Sequence, residues 1–195
     1  MTERGITPSQ TVGPFFSFAL TPGTNYTYVG LAGDDLLTED TVGEPIVIVG
    51  RVIDGEGIPL PDAMIEIWQA DGAGRYPAEG APANTAFKGF GRSDTKDGGF
   101  HFRTVKPGSV LAPDGNPQAP HINVGAFARG VLRRMFTRLY FEGEPANQSD
   151  PVLALVPADR RPTLIARRDG TIDGAARYVF DIRLQGKGET VFFEA

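Results

Sequence analysis

The segment "AMIEIWQAD", residues 63–71, decides the fold class. Met64, Glu66 and Trp68 alternate with Ile65 and Ile67, and a period of two is the signature of a strand, because successive side chains leave opposite faces.

Working outward, the same pattern recurs. "PIVIVGRVID" (45–54) is β-branched and ends at the turn "DGEG". "GGFHFRTVKPG" (98–108) sets Phe100 and Phe102 against His101 and Arg103 and stops at Pro-Gly. "PHINVGAFARG", "MFTRLYFEGE" (135–144) and "RYVFDIRLQG" (177–186) read as three further strands, and "TVFFE" (190–194) as a short last one. One helix is expected in "SDPVLALV", capped by Ser149 or Asp150 with Pro151 at its first position. "RPTLIARRDG" fits a short helix or a strand equally well.

Short strands separated by turns, with no alternating helices, predict an all-β fold, an antiparallel β-sandwich or barrel with short helices. Gly and Pro, 25 and 16 of 195 residues, are about a fifth of the chain against a usual share of about 12%. Frequent turns account for the excess. No repeat or linker interrupts the pattern, so residues 1–195 are expected to form one domain. Residues 1–44 differ, with little periodicity and many Pro, Gly, Ser and Thr. An extended N-terminal arm of this kind has no core of its own and must lie on this domain or on a partner. Phe15 and Phe16 in particular need burial.

Composition excludes several functions. The net charge is −5 and the basic residues are scattered, whereas a nucleic-acid binder carries a sustained basic face. No run approaches the roughly 18 apolar residues of a membrane span. The first residues lack the basic-then-apolar order of a secretory signal, so a cytoplasmic location is expected. With no cysteine, thiolate ligands, disulfides and cysteine nucleophiles are absent.

Two histidines and five tyrosines remain as candidates for chemistry. His101 sits in an alternating strand and reads as structural. His121 opens a strand two residues before Asn123, so the two share a face, yet asparagine is a poor transition-metal ligand. Tyr140 and Tyr178 read as sheet aromatics, and Tyr26 and Tyr28 belong to the arm. Tyr76 stands apart, in the glycine-rich loop "QADGAGRYPAEG" after a strand, where binding residues are often carried. Glu66, Asp71, Asp94 and Asp97 are expected in solvated or turn-forming roles.

Taken together, "EIWQADGAGRY", "HFRTVKPG", "APHIN", "TRLYFEGE" and the N-terminal "TPSQTVGPF" resemble the intradiol ring-cleaving dioxygenases, with the nearest likeness among the protocatechuate 3,4-dioxygenases. The resemblance implies a β-sandwich. It also implies four metal-ligand positions, two tyrosines and two histidines around a ferric ion. Here these positions hold Tyr76, Val110, His121 and Asn123. The arginine that aids substrate activation in catalytic chains is replaced by Gln118. Half the ligands are gone, and one tyrosinate with one imidazole would hold a trivalent ion poorly.

The pattern is similar to that of the metal-free α chain of this family. The resemblance then implies no cofactor in this chain, Fe(III) in a homologous β chain, and a hetero-oligomer of αβ units with protocatechuate at the interface. It assigns substrate contacts to Thr11, Gly13 and Pro14 of the arm and to Arg129 of "FARG". A guanidinium suits a ring carboxylate. Phe15 replaces an aromatic that is often tyrosine, so a phenolic hydrogen bond is not expected there. Two other readings stay open at this point: a self-sufficient dioxygenase with altered ligands, and a non-enzymatic β-sandwich binding module.

Overall fold

The computed structural model describes residues 20–21, 32–39, 41–77 and 87–194. Its central feature is an eight-stranded sheet ordered β4-β3-β8-β9-β10-β11-β1-β5. These strands are β1 (Pro45–Gly50), β3 (Met64–Trp68), β4 (Phe90–Asp94), β5 (Phe100–Val105), β8 (His121–Phe127), β9 (Met135–Phe141), β10 (Ile165–Ile172) and β11 (Ala175–Val179). Two small pairs complete the set: β2 (Val52–Ile53) with β12 (Ile182–Arg183), and β6 (Val110–Leu111) with β7 (Pro117–Gln118).

The sheet folds over into two layers. Strand β10 makes the corner, pairing Ile165 and Ala166 with β9 and Arg167 onward with β11. Inward-facing residues from both sides, among them Ile48, Ile65, Phe102, Ile122, Leu139, Phe141 and Tyr178, form one core. The free edges approach one another, and the His101 N–H of β5 donates to Ser93 Oγ of β4 over 3.1 Å. The all-β sandwich expected from the alternation is thus present, nearly closed into a barrel.

Two pairings within the sheet, β1 with β11 and β9 with β10, are parallel rather than antiparallel. Local alternation carries no information on strand direction, and this was not readable from sequence. The β10–β11 hairpin turns through Asp173 and Gly174 with φ of 50° and 82°, the left-handed pair that a tight Asp-Gly turn requires.

The ambiguous "RPTLIARRDG" is both alternatives in succession, a 3-10 turn over Arg161–Leu164 followed by β10. The expected helix is α1 (Pro151–Leu155), and Asp150 is its cap. The expected last strand is reduced to a bridge between Phe136 and Phe193. Strand β4 has no counterpart in the sequence reading, because its alternate residues Gly91 and Ser93 are small and carry no apolar signal.

Thr11, Gly13, Pro14, Phe15, Phe16, Tyr26 and Tyr28 lie outside the described residues. The end of the expected arm lies along this domain. Asp34 and Leu36 exchange backbone hydrogen bonds with Arg103 of β5 at 2.8 Å each, and Leu36 enters the core.

Candidate functional site in the outer face of strands β3, β8 and β9

The register aligns Trp68 of β3 with Asn123 of β8, and Asn123 with Arg138 of β9. One step along, His121 lies opposite Tyr140. Because side chains alternate, all five project from the face opposite the core. That face is covered by the β6–β7 hairpin, the loop after β3, and α1.

Each cover is tied down by its own sequence. The loop after β3 closes on Asp71, whose Oδ1 accepts the Ala73 and Arg75 N–H groups at 2.9 Å each. The Gly108 N–H donates to the Asp71 carbonyl over 2.9 Å, joining this loop to the chain entering β6. Gly74 has φ 75° and packs directly on the Ser109 carbonyl, where a Cβ would overlap. The buried Gln69 side chain anchors the base, donating to the Ala70 and Val105 carbonyls and accepting from Thr104. Tyr76 is thereby brought over β8. Its ring stacks on Trp68, with centroids 5.6 Å apart, and its Oη accepts from Asn123 Nδ2 at 3.3 Å.

Gln118 pairs with Val110 across the β6–β7 hairpin. Its Oε1 accepts from Arg138 Nη1 at 2.6 Å, and the same nitrogen lies 3.4 Å from Tyr140 Oη. Asp150 is 1% exposed and accepts from Tyr140 Oη and from the Ala119, Val152 and Leu153 N–H groups. One carboxylate thus caps α1 and pins the entry to β8. Burial raises the Tyr140 hydroxyl well above the ordinary phenol value, so it stays a donor to Asp150.

His121 is buried, and its Nδ1 lies 2.7 Å from the Ala119 carbonyl. A carbonyl only accepts, so Nδ1 carries the proton and Nε2 keeps its lone pair. Burial, reinforced by the Arg138 guanidinium, pushes the imidazole down to about 4. The ring is neutral at pH 7.

Of the four positions that the resemblance marks as ligand sites, Tyr76 and Asn123 meet, His121 lies two residues along the same face, and Val110 pairs with Gln118 in the β6–β7 hairpin, but the donors do not fit a ferric ion. Val110 has no ligand atom. Asn123 points an N–H at the Tyr76 oxygen, the reverse of two ligands converging on a cation. Burial raises the Tyr76 phenol above its ordinary value, which opposes the tyrosinate that iron requires. Among the described residues no three His, Cys, Asp or Glu side chains group together as a metal would need.

Arg129 lies away from this face. Its side chain is 79% exposed and pairs with Asp62 at 3.2 Å. Glu66 corrects the sequence reading, since it is buried within β3 and paired to Arg92 at 2.7 Å rather than solvated. Asp71 and Asp94 do form turns, as expected. His101 pairs with Asp34 on the surface, a structural role. Arg138 was missed, and Asp150 was read only as a helix cap. The only signal for Arg138 was a lone charge spaced two from Tyr140 in an otherwise apolar strand.

A family profile described as Dioxygenase matches residues 24–186. The chain is 46% identical to the protocatechuate 3,4-dioxygenase alpha chain of Burkholderia cepacia, covering 100% of both chains. It is 39% identical to the beta chain from the same organism, over 77% of this chain and 68% of that one. The dioxygenase domain of a dioxygenase carbohydrate-binding protein fusion from Streptomyces sp. SirexAA-E superimposes with a TM-score of 0.60 at 30% identity, covering 92% of this chain and 98% of that one. With the β-sandwich, these likenesses establish that the chain belongs to the intradiol ring-cleaving dioxygenase family.

Proposed function

We propose that this chain is the metal-free subunit of a heteromeric protocatechuate 3,4-dioxygenase. The holoenzyme inserts both atoms of O2 between the hydroxyl-bearing carbons of 3,4-dihydroxybenzoate, giving 3-carboxy-cis,cis-muconate on the β-ketoadipate route. The observation that carries this reading is the full-length identity to an alpha chain in a polypeptide whose own ligand positions hold Val110 and Asn123.

On this reading Fe(III) belongs to a homologous beta chain, and αβ units assemble in the cytoplasm into a larger hetero-oligomer around interfacial pockets. Residues 1–195 act as one domain whose N-terminal arm, residues 1–44, reaches the partner. Thr11, Gly13 and Pro14 supply part of the pocket wall. Arg129 receives the ring carboxylate, and its exposure and single ion pair in the lone chain support that role.

The test is to produce the chain alone and together with an iron-bearing beta chain, then measure iron content, visible absorption and protocatechuate turnover. Colour and turnover should appear only in the co-purified complex. Turnover by the chain alone, or failure to associate with any such partner, would overturn the proposal.

A further inference from the structure

An open cavity of about 380 Å³ lies where the end of β9 and the start of β10 meet the segment after α1. Glu142, Ala158, Arg161, Pro162, Ile165 and Arg167 line it, and none of them belongs to the face described above. Its volume is in the range of small-molecule sites. Ala158, Pro162 and Ile165 make its lining apolar without an aromatic ring on which a ligand could stack. Ile165 in turn packs on the buried cluster of Tyr140, Leu153, Val156 and Leu164.

Arg161 is the fixed point of this cavity. Its Nε donates to the Val156 carbonyl over 2.9 Å, and its Nη2 donates to the Ala154 carbonyl over 3.2 Å. Those carbonyls at the end of α1 take one edge of the guanidinium. The other edge, Nη1 with the second Nη2 hydrogen, has no acceptor among the described residues. No carboxylate lies within ion-pair distance of Arg161 among the described residues. That edge has the fork geometry that holds a carboxylate through two hydrogen bonds. Because the backbone already fixes the group, little side-chain freedom remains to be lost on binding.

Two further charges select the ligand. Arg167 is 60% exposed and pairs with Asp169 at 3.1 Å, while Arg177 holds the same carboxylate more closely, at 2.7 Å. Glu142 accepts the Arg168 N–H at 2.8 Å and has no cation within ion-pair distance among the described residues. Two guanidinium groups and one carboxylate leave the lining with a single net positive charge. One negative charge on a ligand offsets it, and a second would meet Glu142.

We propose that this cavity binds a small aliphatic monocarboxylate. The carboxylate pairs with the open edge of Arg161, and the hydrocarbon body lies on Ala158, Pro162 and Ile165. Arg167 adds attraction, and Glu142 turns away dianions. Neither iron nor a partner chain enters the arrangement, so it stands apart from the assembly proposed above.

The test is an NMR titration of the isotopically labelled full-length chain with hexanoate, reading amide shifts and the apparent Kd. Saturable shifts are expected around Glu142 and from Ala158 to Arg167. Acetate lacks the apolar body, adipate adds a second carboxylate and hexylammonium reverses the charge. Each should bind more weakly than hexanoate by at least about fivefold. Arg161→Gln should weaken hexanoate by a similar factor. Glu142→Gln keeps an oxygen for the Arg168 N–H and should tighten binding about twofold by removing a like charge. A substitution that merely loosened the fold would not improve binding. Absence of saturable shifts, any of the three control ligands equal to hexanoate, or affinity that neither substitution moves in the stated direction would overturn the proposal. Shifts centred on Trp68 and Asn123 would also overturn it, by placing the ligand elsewhere.

Discussion

Arg138 donates to Gln118 across 2.6 Å, and the sequence resemblance sets Gln118 at the position that catalytic relatives fill with arginine. On that resemblance, the guanidinium of this face stands on the neighbouring strand. Gln118→Arg alone sets two guanidinium groups against each other, and about 1–3 kcal/mol of stability should be lost. Arg138→Gln alone should cost on the order of 1 kcal/mol through the lost charged hydrogen bond. Together they restore one guanidinium and one amide, so most of the loss should return. Urea unfolding of the four proteins measures the coupling, and additive losses would refute the exchange.

Asp150 accepts four hydrogen bonds from a nearly sealed position. Asp150→Ala strands a phenol and three backbone donors and removes the helix cap, for an expected loss of roughly 3–5 kcal/mol. Tyr140→Phe removes one donor only and should cost about 1–2 kcal/mol. Chemical denaturation distinguishes them. Equal effects would mean that the carboxylate serves Tyr140 alone.

His121 makes stability depend on pH in a defined window. Its folded value is depressed to about 4 from 6.5, so between these limits the unfolded chain binds the extra proton. Stability therefore falls as pH drops from 6.5 toward 4, with a full contribution of roughly 3 kcal/mol. His121→Gln should flatten that segment of the pH profile, as read from thermal unfolding at stepped pH. A profile unchanged by the substitution would show that other groups govern it.

Gly74 holds the Tyr76 loop against the Ser109 carbonyl at φ 75°. Gly74→Ala introduces both strain and overlap, with an expected cost of about 1–3 kcal/mol. Displacement of Tyr76 from Trp68 should alter the tryptophan emission. An unaltered spectrum would mean that the stacking does not depend on this turn.

The legible part of this protein was that which depends on nearest neighbours. Alternation in "AMIEIWQAD" and "GGFHFRTVKPG" marked β3 and β5, and Asp-Pro marked the start of α1. Strand β4 escaped because Gly91 and Ser93 meet the core through small side chains. Glu66 was misread because its partner, Arg92, reaches it only through strand pairing.

The amino-acid order by itself determined that the chain is built of short strands and that two of four expected ligand positions lack a suitable donor, since both are properties of single residues and their spacing. Only the tertiary structure decided what stands there instead. Asn123 meets Tyr76, which lies 47 residues away, and Arg138 meets Gln118, which lies 20 away. Those contacts arise from register across β3, β8 and β9 and from the closure of loops over them, which no local pattern encodes.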